Sequence, residues 1–217
     1  MPTQAYKNKA GKRVKGVTTF ISRQCAWGKD GLMYWQWKEG AEGRNFNERL
    51  EVLANSGSLV HDRVEAHMLA KEWTGTFDGL DAENSDIANM SWESFLNWVK
   101  MYQPETFKTE IPLVSELYQF GGCPDWIGTI HGGELTIIDW KRSVYSNYVA
   151  QVAAYRQLWN ENFPDQIIDS AEILKLGKES ASFIHLHFNK LDLDLGFRAF
   201  RGFQILDEIE ARLKKLV

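Results

Sequence analysis

The stretch Gly121-Gly122-Cys123-Pro124-Asp125-Trp126-Ile127-Gly128, followed by Leu135-Thr136-Ile137-Ile138-Asp139-Trp140-Lys141, decides the fold. Both halves alternate as strands do, and His131-Gly132-Gly133 lies between them as a turn, so the spacing predicts a β-hairpin. In a strand, residues i and i+2 share a face, so Asp139 and Lys141 point one way and Trp140 the other. Packing gives no reason to place two charges on so apolar a strand, because a buried unpaired charge is costly. Asp125 precedes one strand, Trp126 to Ile130, and Asp139 ends the next, Leu135 to Trp140, so antiparallel pairing can bring the two carboxylates together. They repel unless a cation lies between them, and hard oxygen ligands select Mg²⁺ or Mn²⁺. The plainer alternative is an Asp139–Lys141 surface ion pair beside a turn aspartate.

Working outward, Phe107 to Leu113 and Glu116 to Phe120 also read as strands. Residues 147 to 162 read as a helix. Ile173 to Leu176 and Ser182 to Phe188 read as two more strands. The chain closes with a helix from about Gly196 to Val217, whose stripe is Phe197, Phe200, Phe203, Leu206, Ile209, Leu213 and Leu216. Upstream the period is helical. Val17 begins a helix with Thr18 or Thr19 as cap, and Gly28 and Gly31 interrupt it. Residues 38 to 56 read as a polar connection with a short helix near Glu48 to Leu53. Gly57 to Trp73 is a helix, residues 74 to 90 an acidic loop, and Ser91 starts a helix that Pro104 ends. Residues 1 to 16 read as a flexible basic arm. The order predicts an α/β fold with a mixed central β-sheet flanked by helices: one domain over 17–217, helical to about 103 and sheet core from about 104.

The 217 residues suffice for one well-buried core, and nine Trp and twelve Phe promise a large one. No segment is apolar enough to span a bilayer, so no membrane partner is expected, and the N-terminus has no apolar targeting core. Cys25 and Cys123 match no metal-ligand spacing and no disulfide framework, which makes a reducing cytoplasm the default. The net charge of −4 is unlike many DNA-binding proteins, although phosphate recognition needs only a local patch such as Lys7 to Lys15. That patch also reads as a solvated tail.

Two helical pairs add polar groups. His61 and Glu65 lie four residues apart and face the same way, as do Gln151 and Tyr155. Alone, each has a plain reading: His61 as a satisfied histidine, Gln151 and Tyr155 as part of an amphipathic face. Together, Gly57/His61/Glu65, Gly121/Gly122/Asp125, Ile137/Ile138/Asp139/Lys141 and Gln151/Tyr155, in this order, resemble the RecB-like branch of the PD-(D/E)XK nuclease superfamily. The likeness runs from about Val17 to the final helix. It is especially close to phage-type exonucleases and the mitochondrial genome maintenance exonuclease.

The resemblance implies a restriction-endonuclease-like core with an N-terminal helical region. It implies Asp125, Asp139, the main-chain carbonyl of Trp140 and His61 as ligands of one or two Mg²⁺ or Mn²⁺ ions. Glu110 is a further candidate, with Glu65 and Glu116 as competitors. Lys141 would act on the attacking water and the phosphate, and Gln151 and Tyr155 would orient it or touch the backbone. DNA ends or single-stranded flaps would be the substrate, cut to 5′-phosphate products. The alternatives are a catalytically silent nucleic-acid-binding module, a structure-specific endonuclease, another phosphoester hydrolase or a scaffold. Two cysteines cannot hold the iron–sulfur cluster of some relatives. No G-x-x-x-x-G-K-[ST] loop is present, so a motor would come from a separate helicase or recombination partner. His185 and His187 read as a polar strand edge or a substrate contact. Trp27, Tyr34, Trp35 and Trp37 read as core packing or as a stacking surface for single-stranded bases.

Overall fold

The computed structural model describes residues 4–25 and 29–216; the expectations placed on Trp27, Gly28 and Val217 lie outside them. In chain order the elements are β1 (Tyr6–Lys7), β2 (Arg13–Gly16), α1 (Val17–Gln24), α2 (Lys29–Ala41), α3 (Phe46–Met68) and α4 (Ala82–Tyr102). Then follow β3 (Pro104–Thr109), β4 (Leu113–Ser115), β5 (Phe120–Gly122), β6 (Trp126–Ile130) and β7 (Leu135–Lys141). The chain ends with α5 (Asn147–Asn162), β8 (Ser170–Leu176), β9 (Phe183–Phe188) and α6 (Lys190–Leu213).

The expected mixed sheet has the order β3-β6-β7-β8-β9, with β7 and β8 parallel and the other neighbours antiparallel. Its two faces bury separate cores. Ile137, Ala171 and Ile173 pack under α1, α5 and α6, whereas Ile138, Trp140 and Leu174 pack with Val60, Val64, Phe95 and Trp98 of α3 and α4. Helix α5 is buried almost all round between the sheets and α6. The small residues let α6 approach closely: a Cβ on Gly196 would stand 2.8 Å from the Val149 carbonyl oxygen and 3.0 Å from the Ala153 methyl.

A second sheet, β1-β2-β5-β4, corrects the expectation of a flexible arm for its described part, residues 4 to 16. Residues 4 to 16 are not a loose arm. Strands β1 and β2 form a hairpin, and β2 pairs parallel with β5, Gly16 against Gly121. This pairing explains the double glycine. A Cβ on Gly121 would lie 2.2 Å from Tyr6 Cγ, and one on Gly122 would lie 2.7 Å from Leu158 Cδ1. Burial of the Tyr6 ring raises its phenol to about 12. Because β2 runs directly into α1, the helix starts after Gly16 with no side-chain cap, so neither Thr18 nor Thr19 plays that role.

Other boundaries moved for physical reasons. Gly31 lies inside α2, and Gly57 lies inside a continuous α3 that absorbs the short helix expected near Glu48 to Leu53. The cap is Asn45, whose side chain accepts from the Asn47 and Glu48 amides. At its other end α3 stops at Met68, short of Trp73. Helix α4 begins at Ala82, because Asp81 caps it, and Ser91 lies within it. The segment Glu116 to Gln119 is a turn rather than a strand. Glu161 gathers the Glu116 and Leu117 amides at 2.7 and 3.0 Å and the Ser115 hydroxyl at 2.7 Å. The final helix starts earlier than expected, where Asn189 and Asp192 form a capping box. Among the described residues no helix is long and apolar enough to cross a membrane.

The α2–α3 corner rests on one carboxylate. Buried Glu39 accepts from Arg44 Nε at 2.5 Å and Trp35 Nε1 at 2.9 Å. The Arg44 contact holds the Glu39 carboxyl below its ordinary value. A depressed folded value means that the contact stabilises the corner above the carboxyl's unfolded value and is lost as pH falls through the folded one. The protection of α2 amides, taken relative to their intrinsic exchange rate at each pH, should therefore drop several-fold on acidification. In Glu39→Gln that protection should be low already at neutral pH, with little further change in acid.

Candidate active site

The β6–β7 hairpin pairs Trp126 with Ile138, so Asp125 and Asp139 meet beside it. The Trp140 amide donates to Asp125 Oδ2 at 3.0 Å, fixing that carboxylate against the next strand. Asp139 is fully buried and faces α5, where Gln151 Nε2 donates to its Oδ1 at 3.2 Å. The same amide donates to the Tyr155 hydroxyl at 3.0 Å. Lys141 places its ammonium on Asp139 Oδ2, and that ammonium lies 5.0 Å from the centre of the Tyr148 ring. The indole of Trp140 is on the far face, edge-on to Phe95 and Trp98.

From the other side α3 presents His61, whose Nδ1 stands 3.8 Å from Asp125 Oδ2. Glu110 sits just past β3 with a left-handed φ of 42° and donates its amide to the Asp125 carbonyl at 3.2 Å. Glu65 is close by, accepting from the Thr109 hydroxyl at 3.4 Å. Asp125, Asp139, Lys141, Gln151, Tyr155, His61 and Glu110 are therefore brought together. Glu116 is not: it belongs to the turn between β4 and β5, where its carboxylate accepts from the Lys9 amide at 2.6 Å.

The ionisation of these groups follows from burial and crowding. Burial raises Asp139 to about 6; Lys141 opposes the shift and Asp125 adds to it. Asp125 is raised for the same first reason. Burial alone would lower Lys141, but Asp139 and Asp125 carry it above its ordinary value. Burial, aided by the Lys141 charge, drives His61 down to about 4, so its imidazole is neutral near pH 7. Burial also lifts Glu110 to about 7, with Glu65 and Asp125 as further causes.

A buried and a half-buried carboxylate thus face one ammonium beside a neutral imidazole and a third carboxyl raised by burial. This donor chemistry suits a hard divalent cation. Among the described residues no three His, Cys, Asp or Glu side chains already stand in an ion-holding arrangement. Lys141 sits on the oxygen of Asp139 that a cation would seek.

Sequence reasoning passed over Arg142. Its guanidinium donates to the Leu53 carbonyl and, at 3.3 Å, to the Ser56 hydroxyl, and it lies 3.4 Å from where a Gly57 Cβ would be. It clamps α3 to the end of β7. The signal was a second cation directly after Lys141. His185 and His187 belong elsewhere. Both contact Glu172, at 3.1 and 2.8 Å, and Glu172 pairs with Ile138 on the sheet face turned away from Asp139. Of the aromatic group, Trp35 packs on Phe46, whereas Tyr34 and Trp37 are exposed.

The Gln151 network carries a prediction. Gln151→Leu removes a hydrogen bond from a buried carboxylate and should cost about 1–3 kcal/mol, whereas Tyr155→Phe removes one neutral hydrogen bond, about 1 kcal/mol. Urea unfolding reads both, and the reverse order would contradict the network.

No protein-family model matches the chain, and no curated protein matches it. Among solved structures the chain is similar over 92% of its length to a protein from Eubacterium rectale provisionally named an exonuclease. The TM-score is 0.54, the identity 14%, and 82% of that chain is covered. The alkaline exonuclease LHK-Exo from Laribacter hongkongensis also matches, over 72% of this chain and 86% of its own. The identity there is 8% at a TM-score of 0.27, and 9% at 0.28 for its complex with dAMP. The first likeness establishes a shared fold, and the expected α/β architecture with a mixed central sheet flanked by helices is the one observed; the TM-scores of the others carry no structural argument.

Proposed function

We propose that this chain is a metal-dependent deoxyribonuclease that hydrolyses phosphodiesters from DNA ends or single-stranded flaps, leaving 5′ phosphates. The observation that carries the reading is the meeting of Asp125, Asp139 and Lys141 at the end of one hairpin, with Asp139 buried and Asp125 mostly shielded from solvent. Asp125, Asp139 and His61 would hold Mg²⁺ or Mn²⁺, with the Trp140 carbonyl and Glu110 as further candidates. When bound, such an ion lowers the pKa of a water and offsets phosphate charge.

The remaining work falls to the chain. The Trp140 amide and Gln151 each hold one oxygen of the two carboxylates, which limits how far either would move to meet an ion. Lys141 supplies a positive charge where an anionic phosphate would approach, and a partly buried ammonium acts more strongly there than one in water. Neutral His61 keeps a lone pair available. Arg142 holds α3, and with it His61, against the hairpin.

The test is incubation of end-labelled linear DNA and covalently closed circular DNA with Mg²⁺ or Mn²⁺. Mononucleotide release from linear DNA, abolished by EDTA, supports the reading. Equal cutting of the closed circle removes the exonuclease assignment. DNA binding without cleavage removes the enzyme.

A further inference from the structure

The apolar stripe of α6 does not stay in the core. Phe200 and Phe203 are buried, but Leu206, Ile209, Leu213 and Leu216 are 49%, 46%, 56% and 79% exposed. Their spacing is three, four and three residues, the a/d repeat of a coiled-coil seam, with Leu216 in the tight turn that continues α6 past Leu213. One flank of this seam is closed, because Glu210 is engaged by Gln24 of α1 at 2.6 Å. The other flank carries Ile205, Glu208, Arg212 and Lys215, all exposed.

We propose that this seam is the contact surface for a second copy of the chain, with the two α6 helices antiparallel about a two-fold axis near Ala211. The charges select the occupant and its direction. Reversal about Ala211 sets Ile209 against Leu213 of the partner subunit and Leu206 against Leu216 of the partner subunit. The same operation brings Glu208 beside Arg212 and Lys215 of the partner subunit, acid on base twice over. The seam spans about 16 Å at 1.5 Å per residue. So short an interface forms a concentration-dependent dimer rather than an obligate one. This inference does not rest on the proposed nuclease activity.

Sedimentation velocity of the full chain, from low to high micromolar concentration, should show mass rising toward the dimer. The pair Leu206→Glu and Leu213→Glu should weaken association at least about tenfold with an unchanged circular dichroism spectrum. Arg212→Cys tests direction independently. An antiparallel pair brings the two introduced thiols together, so mild oxidation should yield a covalent dimer that wild type does not. A wild type that stays monomeric throughout overturns the proposal. So does a dimer indifferent to the glutamates, or one cross-linked through Leu213→Cys but not through Arg212→Cys.

Discussion

Lys141→Ala is expected to lower cleavage of linear DNA by about 10²- to 10⁴-fold, the span of a lost proton-transfer or charge-stabilising group. The same change has a second consequence that separates the role of Lys141 from simple damage. In the metal-free chain its ammonium is the cation on fully buried Asp139. Removing one partner of a buried pair costs about 3–5 kcal/mol. The variant should therefore melt well below wild type in EDTA. Mn²⁺ should restore more of the lost stability than it adds to wild type, because the ammonium no longer occupies the Asp139 oxygen. Activity within a few-fold of wild type, or a melting temperature indifferent to Mn²⁺, would contradict both halves of the argument.

Asp139→Asn should be at least as damaging to cleavage. The amide keeps the shape and still offers an oxygen to Gln151, so the fold should survive. It cannot supply an anionic oxygen, and it leaves Lys141 paired through Asp125 alone. The expected result is loss of cleavage together with loss of the Mn²⁺-induced rise in melting temperature. Asp125→Asn should behave alike, since an amide oxygen can still accept from the Trp140 amide at the observed position. Calorimetric titration with Mn²⁺ checks both. Unchanged Mn²⁺ affinity in either variant would remove that residue from the ligand set.

The hairpin that carries this chemistry was legible because its signals are local. Trp126–Ile130 and Asn147–Asn162 have the bounds the sequence pattern predicts, and β7 ends one residue later than expected. Alternation, a Gly-Gly turn and a Tyr148–Gln151–Tyr155 face are all short-range features. What was misread depends on distant partners. Pairing of β2 with β5 joins residues more than a hundred positions apart, so a Lys-rich hairpin looked like a solvated tail. The turn at Glu116 is held by Glu161, on a helix that the local pattern of residues 116 to 120 does not include. Arg142 was passed over because its partners, Leu53 and Ser56, sit on a helix thought to begin at Gly57. The α6 stripe is uniform in sequence and carries no mark of where the core stops, near Phe203, while the helix runs on.

Anomalous diffraction from crystals soaked in Mn²⁺ tests the central claim most directly. The account predicts a peak bonded to carboxylate oxygens of both Asp125 and Asp139, with Lys141 displaced from Asp139 and the peak absent in Asp139→Asn. Bound Mn²⁺ elsewhere on a chain that still cleaves DNA, with none at these two carboxylates, would contradict it.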